Sequence, residues 1–197
     1  MFSLRRPSSP LHVVVGLGNP GREYEGTRHN IGARIVDAWG REARLIFKAS
    51  RPFKSRIAPG KLENASFLLV LPQTFMNLSG VAVRAVLRKK SAETRRLLLV
   101  HDDVALPLGT LRFKQGGGAG GHNGVASVIA HVGSPDFARL RIGVGPRPAG
   151  QDLSDFVLGR FSPSDAAAVR AVADAAQQAL TLWLSRGTVP CMDRYNG

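Results

Sequence analysis

Short apolar runs and helical stripes alternate along this chain. Residues 11–17 contain three consecutive valines, Val13 to Val15, and end in glycine-rich sequence. A short apolar run bounded by turn residues predicts a buried strand. Residues 67–71, stopped by Pro72, repeat the signature. So do residues 97–100, which deliver His101-Asp102-Asp103 at the strand's end. Residues 111–114 predict a shorter strand, and residues 139–145 alternate as a strand does.

Between these runs the spacing changes to three and four. Ile31, Ile35, Val36 and Trp39 predict a helix starting near Asn30, with Thr27 placed to cap it. Leu78, Val81, Ala82, Ala85 and Val86 predict the apolar face of a second helix. It ends in Arg88-Lys89-Lys90, cations suited to a helix C-terminus. A third helix opens at His122-Asn123, after the glycine-rich residues 116–121, with Val125, Val128, Ile129 and Val132 on one face. Ser162-Pro163-Ser164-Asp165 supplies a cap, a first-turn proline and an acidic third position for the last helix. Its stripe is Val169, Val172, Ala173, Ala176, Leu180, Trp183 and Leu184, and Gly187 stops it. The basic segment 41–60, with Pro52, Pro59 and Gly60, reads as containing a hairpin with Ile57 in one strand.

Strands alternating with helices predict an α/β class: a single domain over residues 11–197, with a mixed, largely parallel sheet and helices on both faces. Residues 1–10 read as a disordered tail. The chain has 197 residues, which favours one domain. No apolar run approaches the roughly 18 residues a membrane span needs, and Arg5-Arg6 is not followed by the apolar core of a secretory signal. The single cysteine, Cys191, lies in the expected tail and forms no internal disulfide, so a cytoplasmic location is the default.

Charge changes the picture most. Lys and Arg number 27 against 14 Asp and Glu, a net +13. Such an excess points to an anionic partner, nucleic acid foremost; the plain alternative is a basic surface that binds nothing. No cationic block exceeds three residues, so the charge belongs to a folded surface.

Two glycine patterns, Gly16-x-Gly18-x-x-Gly21 and Gly116-x-Gly118-x-x-Gly121, match the dinucleotide fingerprint. The first fails on context. Pro20 removes an N–H that a phosphate would use, and the nearest acidic candidate, Asp37, falls within the first helix. Arg22-Glu23 also excludes a P-loop. His29 alone reads as structural and Asp102 alone as a cap. Together they have the composition of a base and its orienter, although sequence does not bring them into contact. Asn19, Asn77 and Asn123 follow turn-like segments, where amides cap turns or donate to a developing oxyanion. There is no G-x-S-x-G elbow, and the histidines at 12, 29, 101, 122 and 131 show no metal spacing. The chemistry expected is water activation without a covalent intermediate, metal or cofactor.

Several stretches together resemble the bacterial peptidyl-tRNA hydrolase family. They are residues 14–32 (VVGLGNPGREYEGTRHNIG), 72–80 (PQTFMNLSG), 100–109 (VHDDVALPLG), 113–124 (FKQGGGAGGHNG), 139–145 (RLRIGVG) and 155–161 (DFVLGRF). The resemblance implies hydrolysis of the ester between a peptide and the 3′ ribose of tRNA. It implies His29 as the general base, Asp102 as its orienting carboxylate and Asn19 as the holder of water or ester carbonyl. Met76, Asn77, His122 and Asn123 would contact the substrate's peptide or terminal adenosine, and Tyr24 would bind substrate by lining the same crevice. Lys114 and Arg141 would clamp the tRNA 5′-phosphate. The implied partner is peptidyl-tRNA, through its acceptor stem and 3′ CCA end, met by a monomer with no membrane attachment. Ala105, Ala119 and Asp193 depart from the family's usual residues. A non-catalytic RNA-binding relative is the alternative, and the intact Asn19, His29 and Asp102 set favours the enzyme.

Overall fold

The computed structural model describes residues 10–197, so all but the last residue of the expected tail lies outside the described residues. Seven strands form one sheet: β1 (Leu11–Gly16), β2 (Lys48–Ser50), β3 (Ser55–Leu62), β4 (Ala65–Pro72), β5 (Leu97–Pro107), β6 (Leu111–Gln115) and β7 (Ala138–Gly145). Their order is β2-β3-β4-β1-β5-β7-β6. The four central strands β4-β1-β5-β7 are parallel, and β2, β3 and β6 add antiparallel pairings outside them. Among the described residues six α-helices accompany the sheet: α1 (Ile31–Glu42), α2 (Ser79–Lys90), α3 (Asn123–Val132), α4 (Leu153–Leu158), α5 (Ala166–Arg186) and α6 (Thr188–Tyr195).

Consecutive apolar residues serve both faces, as a sheet covered on both sides requires. Val14, Leu98 and Val100 pack with Val36 and Trp39 of α1 and Leu180 and Trp183 of α5. Val13, Val15, Leu97 and Leu99 pack with Val83 and Val86 of α2 and Val125 and Val128 of α3. Gly16, which opens the first glycine pattern, has its explanation here. A Cβ on Gly16 would lie 2.7 Å from the Gly32 carbonyl, and one on Gly32 would lie 2.1 Å from the Val100 carbonyl. Both glycines let α1 lie directly on the sheet.

The structure corrects several expectations. Thr27 does not cap α1: its hydroxyl donates to the Tyr24 carbonyl at 2.8 Å, and a 3₁₀ turn, Arg28–Asn30, precedes the helix. The buried face of α2 is Ser79, Gly80, Ala82, Val83, Val86 and Leu87, whereas Leu78 is exposed. Small residues set that face, because α2 packs on α3 through Gly80, whose N–H donates to Ser127 Oγ at 3.0 Å. β5 does not stop at Val100 but runs to Pro107. Beyond Val100 it has lost β1 as a neighbour, and the requirement for apolar residues ends there.

Two helices, α4 and α6, have no counterpart in the sequence-based expectation. α4 is capped by Asp152, whose carboxylate accepts from the Ser154 and Asp155 N–H groups at 2.7 and 3.2 Å. α6 follows directly on Gly187 and carries Cys191, which is fully buried rather than in a tail. Burial pushes its thiol up to about 11, away from the thiolate form that reacts. Asn196 then fastens the C-terminus to β6, accepting from the Phe113 N–H and donating to its carbonyl at 2.8 and 2.9 Å. Asp193, one of the departures, is exposed.

Candidate active site

A crevice of about 720 Å³ opens where β5 outruns β1. Asn19, His29, Met76, Asn77, Asp102, His122 and Asn123 all line it. Exposed Phe75 and Leu78, with Leu153 and Leu158 of α4, also line it. This is the usual place for a ligand in an open α/β sheet, beyond the carboxyl ends of the strands.

His29 and Asp102 meet. The turn before α1 aims the imidazole so that Nδ1–H donates to Asp102 Oδ1 at 2.9 Å, with Oδ2 at 3.0 Å. Both residues are buried. Among the described residues Nε2 of His29 has no hydrogen-bond partner. Anchoring Nδ1–H on the carboxylate leaves Nε2 with its lone pair.

Asp102 has a second partner that sequence did not indicate. His122 stands at the N-cap of α3, where its Nδ1 accepts from the Gly124 and Val125 N–H groups at 3.1 and 3.2 Å. An accepting Nδ1 puts the ring proton on Nε2, which donates to Asp102 Oδ1 at 3.0 Å. Burial works against the Asp102 charge, but His122 and then His29, by positive ring edges and hydrogen bonds, outweigh it. They hold the carboxyl well below the usual carboxylate range. His122 therefore supports Asp102, where the resemblance implied only substrate contact.

Ligand atoms of His29, Asp102 and His122 lie within 4.8 Å of one another, a spacing a metal ion could bridge. The chemistry does not fit. A metal on His122 Nε2 would need that lone pair, turning Nδ1–H against two backbone N–H groups.

Asn19 is held from both ends. Asn30 receives its N–H at 2.8 Å and donates to its carbonyl at 2.9 Å. Its side-chain oxygen accepts the Met76 N–H at 2.7 Å. The amide orientation is thereby fixed, and Nδ2, without a partner among the described residues, is a donor held at the crevice wall. Asn77 and Asn123 are exposed, and neither side chain is spent on the fold.

Tyr24 does not line the crevice. Its 3₁₀ turn, Arg22–Tyr24, carries it outward, and its ring meets Phe75 edge to face at 6.3 Å. His101, itself buried, also lines the crevice. Its Nδ1–H donates to the Asp102 carbonyl at 2.7 Å, while burial, then the neighbouring His122, push its imidazole down to about 3.

Lys114 is exposed on edge strand β6. Arg141 is half-buried on β7 and donates through Nε–H to Asp103 Oδ2 at 2.6 Å. Of the departures, Ala105 is exposed and Ala119 lines the crevice.

The family profile described as peptidyl-tRNA hydrolase matches residues 13–197. A peptidyl-tRNA hydrolase of Nitratidesulfovibrio vulgaris is 43% identical over 198 residues, covering 93% of this chain and 96% of the relative. One of Chloroflexus aurantiacus is 42% identical over 187 residues, covering 94% and 99%. The crystal structure of peptidyl-tRNA hydrolase from Acinetobacter baumannii superimposes with a TM-score of 0.88 at 33% identity, covering 98% of this chain and 97% of that one.

Proposed function

The chain belongs to the peptidyl-tRNA hydrolase family and hydrolyses the ester bond of peptidyl-tRNA, and from that premise we propose that His29 and Asp102 activate the attacking water. The observation that carries this reading is the His29 Nδ1–Asp102 pair, which leaves Nε2 as the unpaired ring nitrogen of a crevice residue. Nε2 takes a proton from water as its oxygen attacks the ester carbonyl carbon. The imidazolium formed is stabilised by the Asp102 carboxylate, which its two imidazole partners keep ionised. The tetrahedral intermediate collapses by breaking the bond to the ribose 3′ oxygen. That oxygen leaves with the proton held on Nε2, giving a free peptide acid and a free tRNA 3′ end.

Asn19 Nδ2 donates to the ester oxygen as it gains charge, or holds the water. The fixed amide supports this, since a preorganised donor needs no reorganisation during reaction. Asn77, Asn123 and the Met76 segment bind the peptide main chain beside the terminal adenosine, and the exposure of both amides supports it. Tyr24 acts through Phe75.

The acceptor stem and 3′ CCA end bind over the basic surface, in keeping with the net +13, with Lys114 and Arg141 on the 5′-phosphate. The protein works as a monomer in the cytoplasm. Among the described residues no helix is long and apolar enough to cross a membrane.

The test is release of an N-acetyl-amino acid from its tRNA by the purified protein. Binding of the tRNA without release would instead describe a non-catalytic RNA-binding relative.

A further inference from the structure

Four cations stand on one face at the sheet's edge. Antiparallel register sets Arg112 opposite Arg141 and Lys114 opposite Arg139. Like charges directly opposite one another destabilise a strand pair, and a bound anion relieves the repulsion. The four are not equally available. Arg139 is buried, and its guanidinium donates to the Gly117 and Gly118 carbonyls, so it is committed to the glycine-rich loop. Arg112 and Lys114 are exposed. Arg141 is half-buried and already carries an anion, Asp103, at 2.6 Å.

Asp103 directly follows Asp102 and lines the same crevice. Its Oδ1 accepts the Ala105 N–H at 2.9 Å, which fixes the carboxylate so that Oδ2 points at Arg141. Among the described residues Asp103 is the only ion-pair partner of Arg141. We infer that Asp103 is an internal competitor for Arg141, occupying the guanidinium until the substrate's 5′-phosphate displaces it and thereby setting the affinity for that phosphate. The inference rests on the reading of Lys114 and Arg141 as phosphate ligands.

Displacement is favourable on charge. A terminal phosphate carries about −1.5 to −2 at neutral pH with three acceptor oxygens, against one charge on the carboxylate. It can also meet the guanidinium through two parallel hydrogen bonds, where Asp103 uses Nε alone. Lys114, diagonal to Arg141 on the same face, adds to the attraction for the phosphate and holds no anion of its own among the described residues.

The probe is an acceptor-stem hairpin ending in CCA, made with a 5′-phosphate and with a 5′-hydroxyl. Wild type, Asp103→Asn, Arg141→Gln and the double variant are titrated at one ionic strength. Asparagine keeps the Oδ1 contact to Ala105 and removes the charge. The wild type should prefer the phosphorylated hairpin, and Arg141→Gln should remove most of that preference. Asp103→Asn should tighten binding of the phosphorylated hairpin about two- to fivefold, the range an ion pair at a partly exposed site commands. The hydroxyl hairpin should respond less, and the double variant should behave as Arg141→Gln. Weaker binding of the phosphorylated hairpin by Asp103→Asn would make Asp103 an organiser of Arg141 and overturn the inference, as would equal tightening of both hairpins. A wild type and an Arg141→Gln variant that bind both hairpins alike would overturn the phosphate reading itself. A retained wild-type preference that ignores Asp103→Asn removes only the competition.

Discussion

His122 donates its Nε2–H to Asp102 Oδ1 at 3.0 Å, so the carboxylate that orients His29 is shared between two imidazoles. Sharing divides the acceptor strength of Asp102. The tautomer that permits it is fixed by the first N–H groups of α3.

Replacing His122 by Asn separates its two tasks. Asparagine is a good N-cap, so thermal or urea stability should change by less than about 1 kcal/mol. Its shorter side chain abandons Asp102, whose charge then acts on His29 alone. The acid limb of the kcat/KM profile should move to higher pH. Asp102→Asn should move it to lower pH, since a neutral amide no longer favours the imidazolium. Limbs unchanged in both variants would mean that this carboxylate does not govern the reacting base.

Asn19→Asp is nearly isosteric and keeps an oxygen for the Met76 N–H. It replaces the Nδ2 donor at the crevice wall by an acceptor. The fold should survive, and the rate should fall about 10²–10³-fold, the usual cost of losing an oxyanion donor. A melting temperature that falls along with the rate would mark Asn19 as structural.

Asn77→Ala and Asn123→Ala should leave stability untouched, because neither side chain makes an internal hydrogen bond among the described residues and both are exposed. Each should weaken substrate binding by about 1–3 kcal/mol, the cost of a partner left unsatisfied. Steady-state kinetics separate this from catalysis: a rise in KM is expected, and a fall in kcat alone would move them to the oxyanion site.

Acid should destabilise the fold through His101. Its folded imidazole titrates at about 3, against 6.5 in an unfolded chain. Between those values the unfolded state binds the extra proton, so stability falls as pH drops from 6.5 towards 3, by up to about 1.4 kcal/mol per unit. Asp102, held low when folded, continues the loss below the ordinary carboxylate range. His101→Asn keeps a donor near the Asp102 carbonyl but does not titrate. Its urea midpoint should vary less across that window than the wild type's, and an equal slope would contradict the assignment.

Much of the fold is legible because burial repeats. Val13 to Val15 announce a strand covered on both faces, and Val169 to Leu184 announce α5. The failures share a cause. α2 presents its small residues inward because α3 approaches through Gly80, a tertiary fact that a scale of apolar side chains ranks the wrong way round. β5 continues past Val100 because β7 still pairs with it, although β1 has ended and apolar residues are no longer required. α6 hides in a short polar-looking stretch whose buried anchor is Cys191. At the site, residue types and order indicate His29, Asp102 and the asparagines. Distances across seventy or more residues, such as His29 to Asp102, are invisible locally. So is the choice of His122 as a second partner, since nothing near His122 in sequence marks it as a neighbour of Asp102.

The central claim is that His29 is the base, and His29→Ala tests it most directly. Release of N-acetyl-amino acid from its tRNA is measured beside tRNA binding by the same preparation. The expected result is a loss of hydrolysis of about 10²–10⁴-fold with binding of tRNA retained, because removing the base leaves the basic surface intact. A variant that keeps more than about a tenth of the wild-type rate, a barrier change under roughly 1.4 kcal/mol, would contradict it.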